Sequence, residues 1–226
     1  MQPYFFPYIG YWQLINAVDV FVLYDDVNFI KNGWINRNNI LLNSKSHLIT
    51  LPLLKSSSFI PINKIYVTDN IKVKEKILRT IEAAYKKAPY FDIIYPNIEN
   101  ILRSNGTISD IVLKSINWLK DYLKIETKII LSSDIPKDMN LKAEEKVICM
   151  VQKLNGTRYI NAIGGQELYD KENFNNNGIK LSFIKTGEIK YKQFNNEFVP
   201  NLSIIDVLMF NSPSEIKEML NNYSLI

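Results

Sequence analysis

Residues 142–165 read KAEEKVICMVQKLNGTRYINAIGG, and this stretch decides the fold class. Its first half carries a helical spacing of apolar residues over 142–154. Asn155-Gly156 is a C-terminal stop for that helix, because both residues tolerate a left-handed backbone. RYINAIGG then reads as a strand entering a glycine turn. KIILSS at 128–133 precedes the helix and KLSFIKT at 180–186 follows the turn, and both read as strands. Strand, helix, strand in alternation calls for parallel pairing with crossover helices. The expected class is α/β, with a mostly parallel, Rossmann-like sheet.

Working outward, residues 72–88 place Val73, Ile77, Ile81, Ala84 and Tyr85 on one face, stopped by Pro89. Residues 107–124 carry a stripe of Ile108, Ile111, Val112, Ile116, Leu119 and Leu123, with Thr107 or Ser109 as N-cap. LSIIDVLMF and SEIKEMLNNY read as two closing helices. Residues 11–18 read as a short helix, and VFVLYDD at 20–26 as a buried strand stopped by two carboxylates. INRNNILLN, SHLITLPLL and INKIYVT suggest a β-rich insertion near 34–68. No repeat or composition break divides the chain, so one domain over 1–226 is expected.

The totals narrow the chemistry. The 226 residues are long enough for a substantial core, and the net charge of +4 is spread along the chain. No run of five like charges marks a DNA-binding patch. The one cysteine, Cys149, excludes an intrachain disulfide and fits a reducing cytosol. It lies in a helical pattern and reads as a small buried hydrophobe. The one histidine, His47, sits in a strand-like run and reads as structural; with so few His and Cys, a multi-His or Cys-cluster metal site is excluded. No stretch approaches 18 apolar residues, so no membrane span is expected. The first residues lack a basic n-region, so no secretory signal is expected either, and a cytoplasmic location follows.

The chain opens MQPYFFPYIGYWQLI. Two prolines fix the path of this segment and Gly10 permits close approach, as in a loop entering a helix whose first N–H groups face a ligand. A packed aromatic plug is the plainer reading. Tyr8-Ile9-Gly10-Tyr11 resembles the His-Ile-Gly-His signature of nucleotidylyl transferases and class I aminoacyl-tRNA synthetases, with tyrosine in both histidine places. That likeness implies their fold, with weaker phosphate stabilisation, because a neutral phenol donates a hydrogen bond but carries no charge.

Three further clusters could carry chemistry. Asp25 and Asp26 end a strand and are followed by Lys31, Trp34, Asn36 and Arg37. The carboxylates could accept a proton and Arg37 could clamp a phosphate; a solvated hairpin with an Asp–Arg pair is the bland alternative. Asn161 precedes Gly164-Gly165, whose backbone N–H groups could reach a phosphate or carbonyl, or simply turn the chain. Tyr191 and Gln193 precede Asp206, which lies in an otherwise apolar helix and reads as a buried structural carboxylate.

Together, QPYFFPYIGYWQLI, VFVLYDDV, KNGWINRN, AYKKAPYF, YINAIGGQELY, YKQF and FVPNLSIIDVLMFN resemble the WbqC-like protein family over essentially the whole chain. The resemblance implies a bacterial cytosolic protein of O-antigen or other surface-glycan synthesis. It implies transfer of an acyl or aminoacyl group, such as glycyl, to a nucleotide-linked amino sugar. On that reading Asp25 or Asp26 is the base or amine orienter, and Tyr8, Tyr11 and the Gly164 and Gly165 amides stabilise the oxyanion. Lys31 and Arg37 take the sugar's diphosphate, and Gln2, Gly10, Asn36, Asn161, Tyr191 and Gln193 complete the substrate site. The donor could be an acyl-carrier-protein thioester, an aminoacyl-tRNA or an ATP-derived adenylate. A non-catalytic glycan-binding subunit and an ATP-dependent ligase or nucleotidylyl transferase remain alternatives. Family members usually begin several residues earlier with a short apolar strand, so a first core strand is expected ahead of Met1.

Overall fold

The computed structural model describes residues 1–138, 140–195 and 197–226. After the opening loop come α1 (Ile9–Asn16) and β1 (Val20–Leu23), then a hairpin of β2 (Arg37–Leu42) and β3 (Lys45–Thr50). Three helices follow, α2 (Ile71–Tyr85), α3 (Phe91–Arg103) and α4 (Ile108–Leu123). The rest alternates: β4 (Lys128–Leu131), α5 (Ala143–Lys153), β5 (Arg158–Ala162), α6 (Lys171–Asn176) and β6 (Lys180–Thr186). It closes on α7 (Ile204–Phe210), α8 (Pro213–Asn221) and β7 (Tyr223–Leu225).

The expected alternation yields two parallel pairs, β1 with β4 and β5 with β6. It does not yield one continuous sheet. Among the described residues the strands form a β1–β4 pair, the antiparallel β2–β3 hairpin and a β5–β6–β7 sheet. The class is mixed α/β, and the broad sheet of a nucleotidylyl transferase is not formed. Residues 62–68, expected as a strand, instead make a 3-10 turn at Ile62–Lys64 and two isolated bridges, Tyr66 to Thr107 and Val67 to Leu53. Helix α3 was not expected; it contains Pro96, which has no N–H to donate to the Asp92 carbonyl. Strand β7, which closes the sheet beside β6, was not foreseen either.

The caps follow their chemistry. Thr107 accepts from the Asp110 N–H while the Asp110 carboxylate accepts from the Thr107 N–H, a reciprocal capping box that starts α4. Ser212 and Glu215 repeat it at α8, with Pro213 in the first turn. Asn155 stops the α5 segment at φ 54°, as its type allows. Cys149 is half-buried on α5, and His47 is exposed on the edge strand β3.

Two apolar cores result. The larger joins α1 to α4, α7 and α8 with β1 and the hairpin. The smaller packs Ile135, Val147, Ile148, Met150, Phe174, Ile179, Leu181 and Phe183 between α5, α6 and β6. Between β1 and β5 lies a cavity of about 350 Å³, lined by Met1, Val20, Val22, Val147, Tyr159 and Ile160 among others. Residue 1 sits at one end of it. Its amine donates to the Val22 carbonyl at 2.9 Å, and the Tyr24 N–H donates to the Met1 carbonyl at 2.7 Å. That is the hydrogen-bond pattern of a parallel bridge to β1.

Burial lowers the Met1 amine to about 5, from an ordinary value of 8.0. In a chain that starts at Met1, the unfolded state therefore holds a proton between about pH 5 and 8 that the folded state sheds. Stability should rise with pH across that window and fall as pH drops back through it. Urea unfolding at several pH values checks this. Attaching any residue ahead of Met1 should abolish that part of the slope, since the ionising amine is then gone.

Candidate functional site

The opening segment divides into a buried half and an exposed half. Phe5, Phe6, Tyr11 and Trp12 are buried, while Tyr4 is half-buried and Tyr8 is 37% exposed. The loop is held from three sides. Asn38 Nδ2 donates to the Phe5 and Phe6 carbonyls at 2.9 and 2.8 Å, Ser203 Oγ donates to the Phe6 carbonyl at 2.7 Å, and the Phe5 N–H donates to the Trp34 carbonyl at 3.0 Å. These bonds hold Phe6 at φ 42°, a left-handed conformation that bulky side chains rarely adopt. The loop is thereby fixed as it enters α1, which packs against β5, β6 and α8.

The strand ends supply the polar groups. The register pairs Leu23 with Leu131, so the residues after β1 lie beside those after β4. Asp25 is buried, and four donor groups lie within hydrogen-bond reach of its carboxylate. Oδ1 faces Ser132 Oγ at 2.9 Å and the Ser133 N–H at 3.0 Å; Oδ2 faces Ser133 Oγ at 2.8 Å and Asn63 Nδ2 at 3.1 Å. So Asp25 is a brace whose acceptor positions are filled. Asp26 is different. Its Oδ1 lies 2.5 Å from Ser132 Oγ, and its Oδ2 is paired with Lys137 Nζ at 2.6 Å. The Lys137 side chain is 2% exposed and that of Asp26 13%. Lys137 also donates to the Ser132 and Ile135 carbonyls, so its three protons are all engaged. Ser132 has one proton and stands between two carboxylates. This makes a compact chain of proton-bearing groups at the carboxyl ends of two parallel strands, the edge where open α/β sheets place ligands.

Tyr24 lies beside this pair, with Tyr169 and Tyr159 next to it, while Tyr8 stands at the end of β6. The Tyr24 phenol is pushed up to about 12, first by burial, then by the nearby Asp26 carboxylate and Tyr169. Tyr159 is raised well above the ordinary value by burial and by Tyr169, against which its ring packs edge-on at 5.7 Å. Tyr8 is raised by burial, partly offset by a hydrogen bond with the Thr186 side chain at the end of β6. All three are neutral donors at physiological pH. A Cβ on Gly10 would lie 2.5 to 2.6 Å from the Tyr8 ring, so the missing side chain is what seats that ring over α1. A Cβ on Gly165 would meet Asn161 Nδ2 at 2.7 Å, while one on Gly164 would meet open space. The Gly164 backbone is therefore approachable from outside.

The sequence-derived residues separate accordingly. Asp25, Asp26, Tyr8, Gly10, Asn161, Gly164 and Gly165 all belong to strand ends or to the loop and helix start that pack on them. Gln2 contributes its carbonyl, which accepts from the buried Tyr11 hydroxyl at 2.9 Å. Tyr11 is thus engaged inside the core rather than facing a substrate. Lys31 is exposed on the loop before β2. Asn36 Nδ2 donates to the Leu51 carbonyl. Arg37 donates to the Gly33 carbonyl and to the Asn32 carbonyl and side chain, which fastens its own loop rather than holding a phosphate. Tyr191 and Gln193 donate to Asp206 Oδ2, both at 2.6 Å, in the core. Asp206 is the buried structural carboxylate its apolar helix suggested. Ser132, Ser133, Asn63 and Lys137 were missed; for all but Asn63 the available signal was the run SSDIPK directly after a strand-like stretch.

No group of three or more His, Cys, Asp or Glu among the described residues could hold a metal ion. Nor is any described helix long and apolar enough to cross a membrane.

Comparison with known proteins adds three findings. The family model described as the WbqC-like protein family matches residues 2–218. An uncharacterized protein of Mycobacterium tuberculosis is similar to this chain, 27% identical over 223 residues that cover 97% of this chain and 95% of its own. No solved structure matches.

Proposed function

The chain belongs to the WbqC-like protein family, and from that premise we propose that it is a cytoplasmic transferase forming an amide on a nucleotide-linked amino sugar for a bacterial surface polysaccharide such as O-antigen. The observation that carries this reading is the Asp26–Lys137 pair at the carboxyl ends of β1 and β4, with Ser132 and the neutral Tyr24 beside it. In the reaction the sugar amine attacks the carbonyl carbon of an activated acyl donor. The C–N bond forms, the bond from carbon to the donor's leaving group breaks, and the amine gives up a proton. Asp26 accepts that proton, held in place by Lys137 and Ser132. Tyr8 and the Gly164 amide donate to the oxyanion as it develops. The leaving group departs with the proton that Asp26 relays. Asp25 takes no proton; its bonds from the Ser133 N–H, the Ser133 hydroxyl and Asn63 fix the strand end that aims Asp26.

Gly10→Ala should displace the Tyr8 ring from Thr186 and lower transfer by at least about tenfold. It should cost little beyond Tyr8→Phe in the double variant, because both act through the same phenol. Additive losses would remove Tyr8 from the mechanism.

The direct test deletes the gene and measures the mass of the polysaccharide repeat unit. Loss of an amide-linked acyl group, restored by wild type and not by Asp26→Asn, supports the reading and names the group. An unchanged repeat unit sinks it. The fully engaged Asp25 and Lys137 favour one alternative, a glycan-binding subunit without turnover. That alternative predicts sugar binding that survives Asp26→Asn and is lost with Tyr8→Ala.

A further inference from the structure

Residues 27–68 contain Lys31, Arg37, Lys45, Lys55 and Lys64 and not one Asp or Glu, in a chain with 23 acidic residues. The four lysines are exposed, and none takes part in an ion pair among the described residues. The same segment holds the exposed rings of Phe59 at 88%, Tyr66 at 57% and Trp34 at 44%. No other large apolar side chain among the described residues is as exposed as Phe59.

The backbone gathers these residues. The bridge of Asn28 with Pro61 and the bond from the Phe29 N–H to the Ile60 carbonyl bring Ile30 and Lys31 opposite Phe59. The bridge of Leu53 with Val67, and the bond from the Leu54 N–H to the Tyr66 carbonyl, set Leu54 and Lys55 against Tyr66. Two strand-like pairs thus bring Lys31 near Phe59 and Lys55 near Tyr66 within this segment. The segment is rooted at the candidate site. Asn63 donates to the Asp25 carboxylate, its N–H donates to the Asp25 carbonyl, and the Ile62 N–H donates to the Val27 carbonyl.

Exposed rings interleaved with lysines that form no ion pair among the described residues, in a segment that contributes no acid of its own, fit one kind of partner best. Single-stranded nucleic acid stacks bases on such rings while the lysines follow its backbone. An acidic protein would use the lysines but would gain little from an isolated Phe at 88% exposure. We propose that this segment docks single-stranded RNA and directs its end toward Asp26. The inference rests on the transferase reading and deepens it: of the possible donors, it selects an acyl group carried on the single-stranded end of an RNA.

The test is fluorescence anisotropy with a labelled 12-nucleotide single-stranded RNA, titrated with the full chain at several salt concentrations. Saturable binding that weakens with salt is expected. Phe59→Ala should weaken it about tenfold. The Lys31→Ala, Lys55→Ala, Lys64→Ala triple variant should reduce the salt slope by about 2, at roughly 0.7 for each lysine. All four residues are exposed, so unchanged melting temperatures confirm that folding is intact. No binding at low salt, binding indifferent to these variants, or equal binding of a duplex of the same length each overturns the proposal. So does binding of an acidic acyl carrier protein through the same residues in place of RNA. The assay reads docking alone. RNA binding together with full transfer by Asp26→Asn would remove the function reading and leave the surface, while transfer without RNA binding would do the reverse.

Discussion

Replacing Asp206 by alanine should lower the stability of this protein by about 3 to 5 kcal/mol, one of the largest single-site effects in the chain. The carboxylate is buried in α7, and three side chains point at it. Tyr85 donates to Oδ1 at 2.8 Å, and Tyr191 and Gln193 donate to Oδ2 at 2.6 Å. The network continues, because the Leu41 N–H donates to the Tyr85 hydroxyl at 2.8 Å and Gln193 exchanges hydrogen bonds with both backbone groups of Val199. One residue therefore ties β2, α2, α7 and the segment after β6 together. Burial pushes the Asp206 carboxyl up, and its three donors pull it partly back. Alanine leaves two phenols and an amide without acceptors in the core. Calorimetry or urea unfolding should show a melting temperature lower by roughly 10 °C. Tyr191→Phe should cost much less in the Asp206→Ala background than in wild type, because its partner is already gone. Additive losses would mean that the network is not a unit.

The second large effect separates folding from chemistry at Asp26. Asparagine there leaves Lys137 as a buried cation without its counter-charge, and stability should drop by about 3 kcal/mol. Lys137→Met alone should cost a similar amount, by stranding the carboxylate. The double variant Asp26→Asn, Lys137→Met removes both charges, so most of the lost stability should return. Transfer should stay abolished in all three proteins, read as the missing acyl mass in the polysaccharide of a deletion strain. A double variant that is stable and still active would show that the pair only holds the strand ends together. One that is stable and inactive assigns the pair to the reaction.

Much of the fold was legible in the sequence for local reasons. Thr107, Ser203, Ser212 and Asn155 cap or stop helices where their side chains or backbone preferences dictate, and β6 spans the expected 180–186. Helix α3 was hidden because propensity around Pro96 argues against a helix that tertiary packing supplies, through buried Ile94, Ile98, Ile101 and Leu102. The sheet was over-read, because alternation predicts which strands are parallel but not how many edges meet. At the site, Asp25 and Asp26 were visible as carboxylates ending an apolar strand. Their division into a carboxylate surrounded by neutral donors and one paired with a lysine was not, since it depends on Ser132, Ser133 and Lys137, more than a hundred residues away in sequence. Arg37 looked like a phosphate clamp because residue type alone says nothing about the loop carbonyls that take its protons.

The bond pattern at Met1 has a practical consequence for anyone handling this protein. Residue 1 forms one rung of a ladder with β1, at the end of the gap facing β5. The direction of anything bonded to its nitrogen is set by that rung, and it runs along two free strand edges. An affinity tag is then not an inert appendage. A cleavage scar of valine and isoleucine would be drawn in and paired, whereas a glycine–serine scar would tend to stay loose. Preparations differing only in a few vector-encoded residues would be different proteins in stability, and results from one would not transfer to the other.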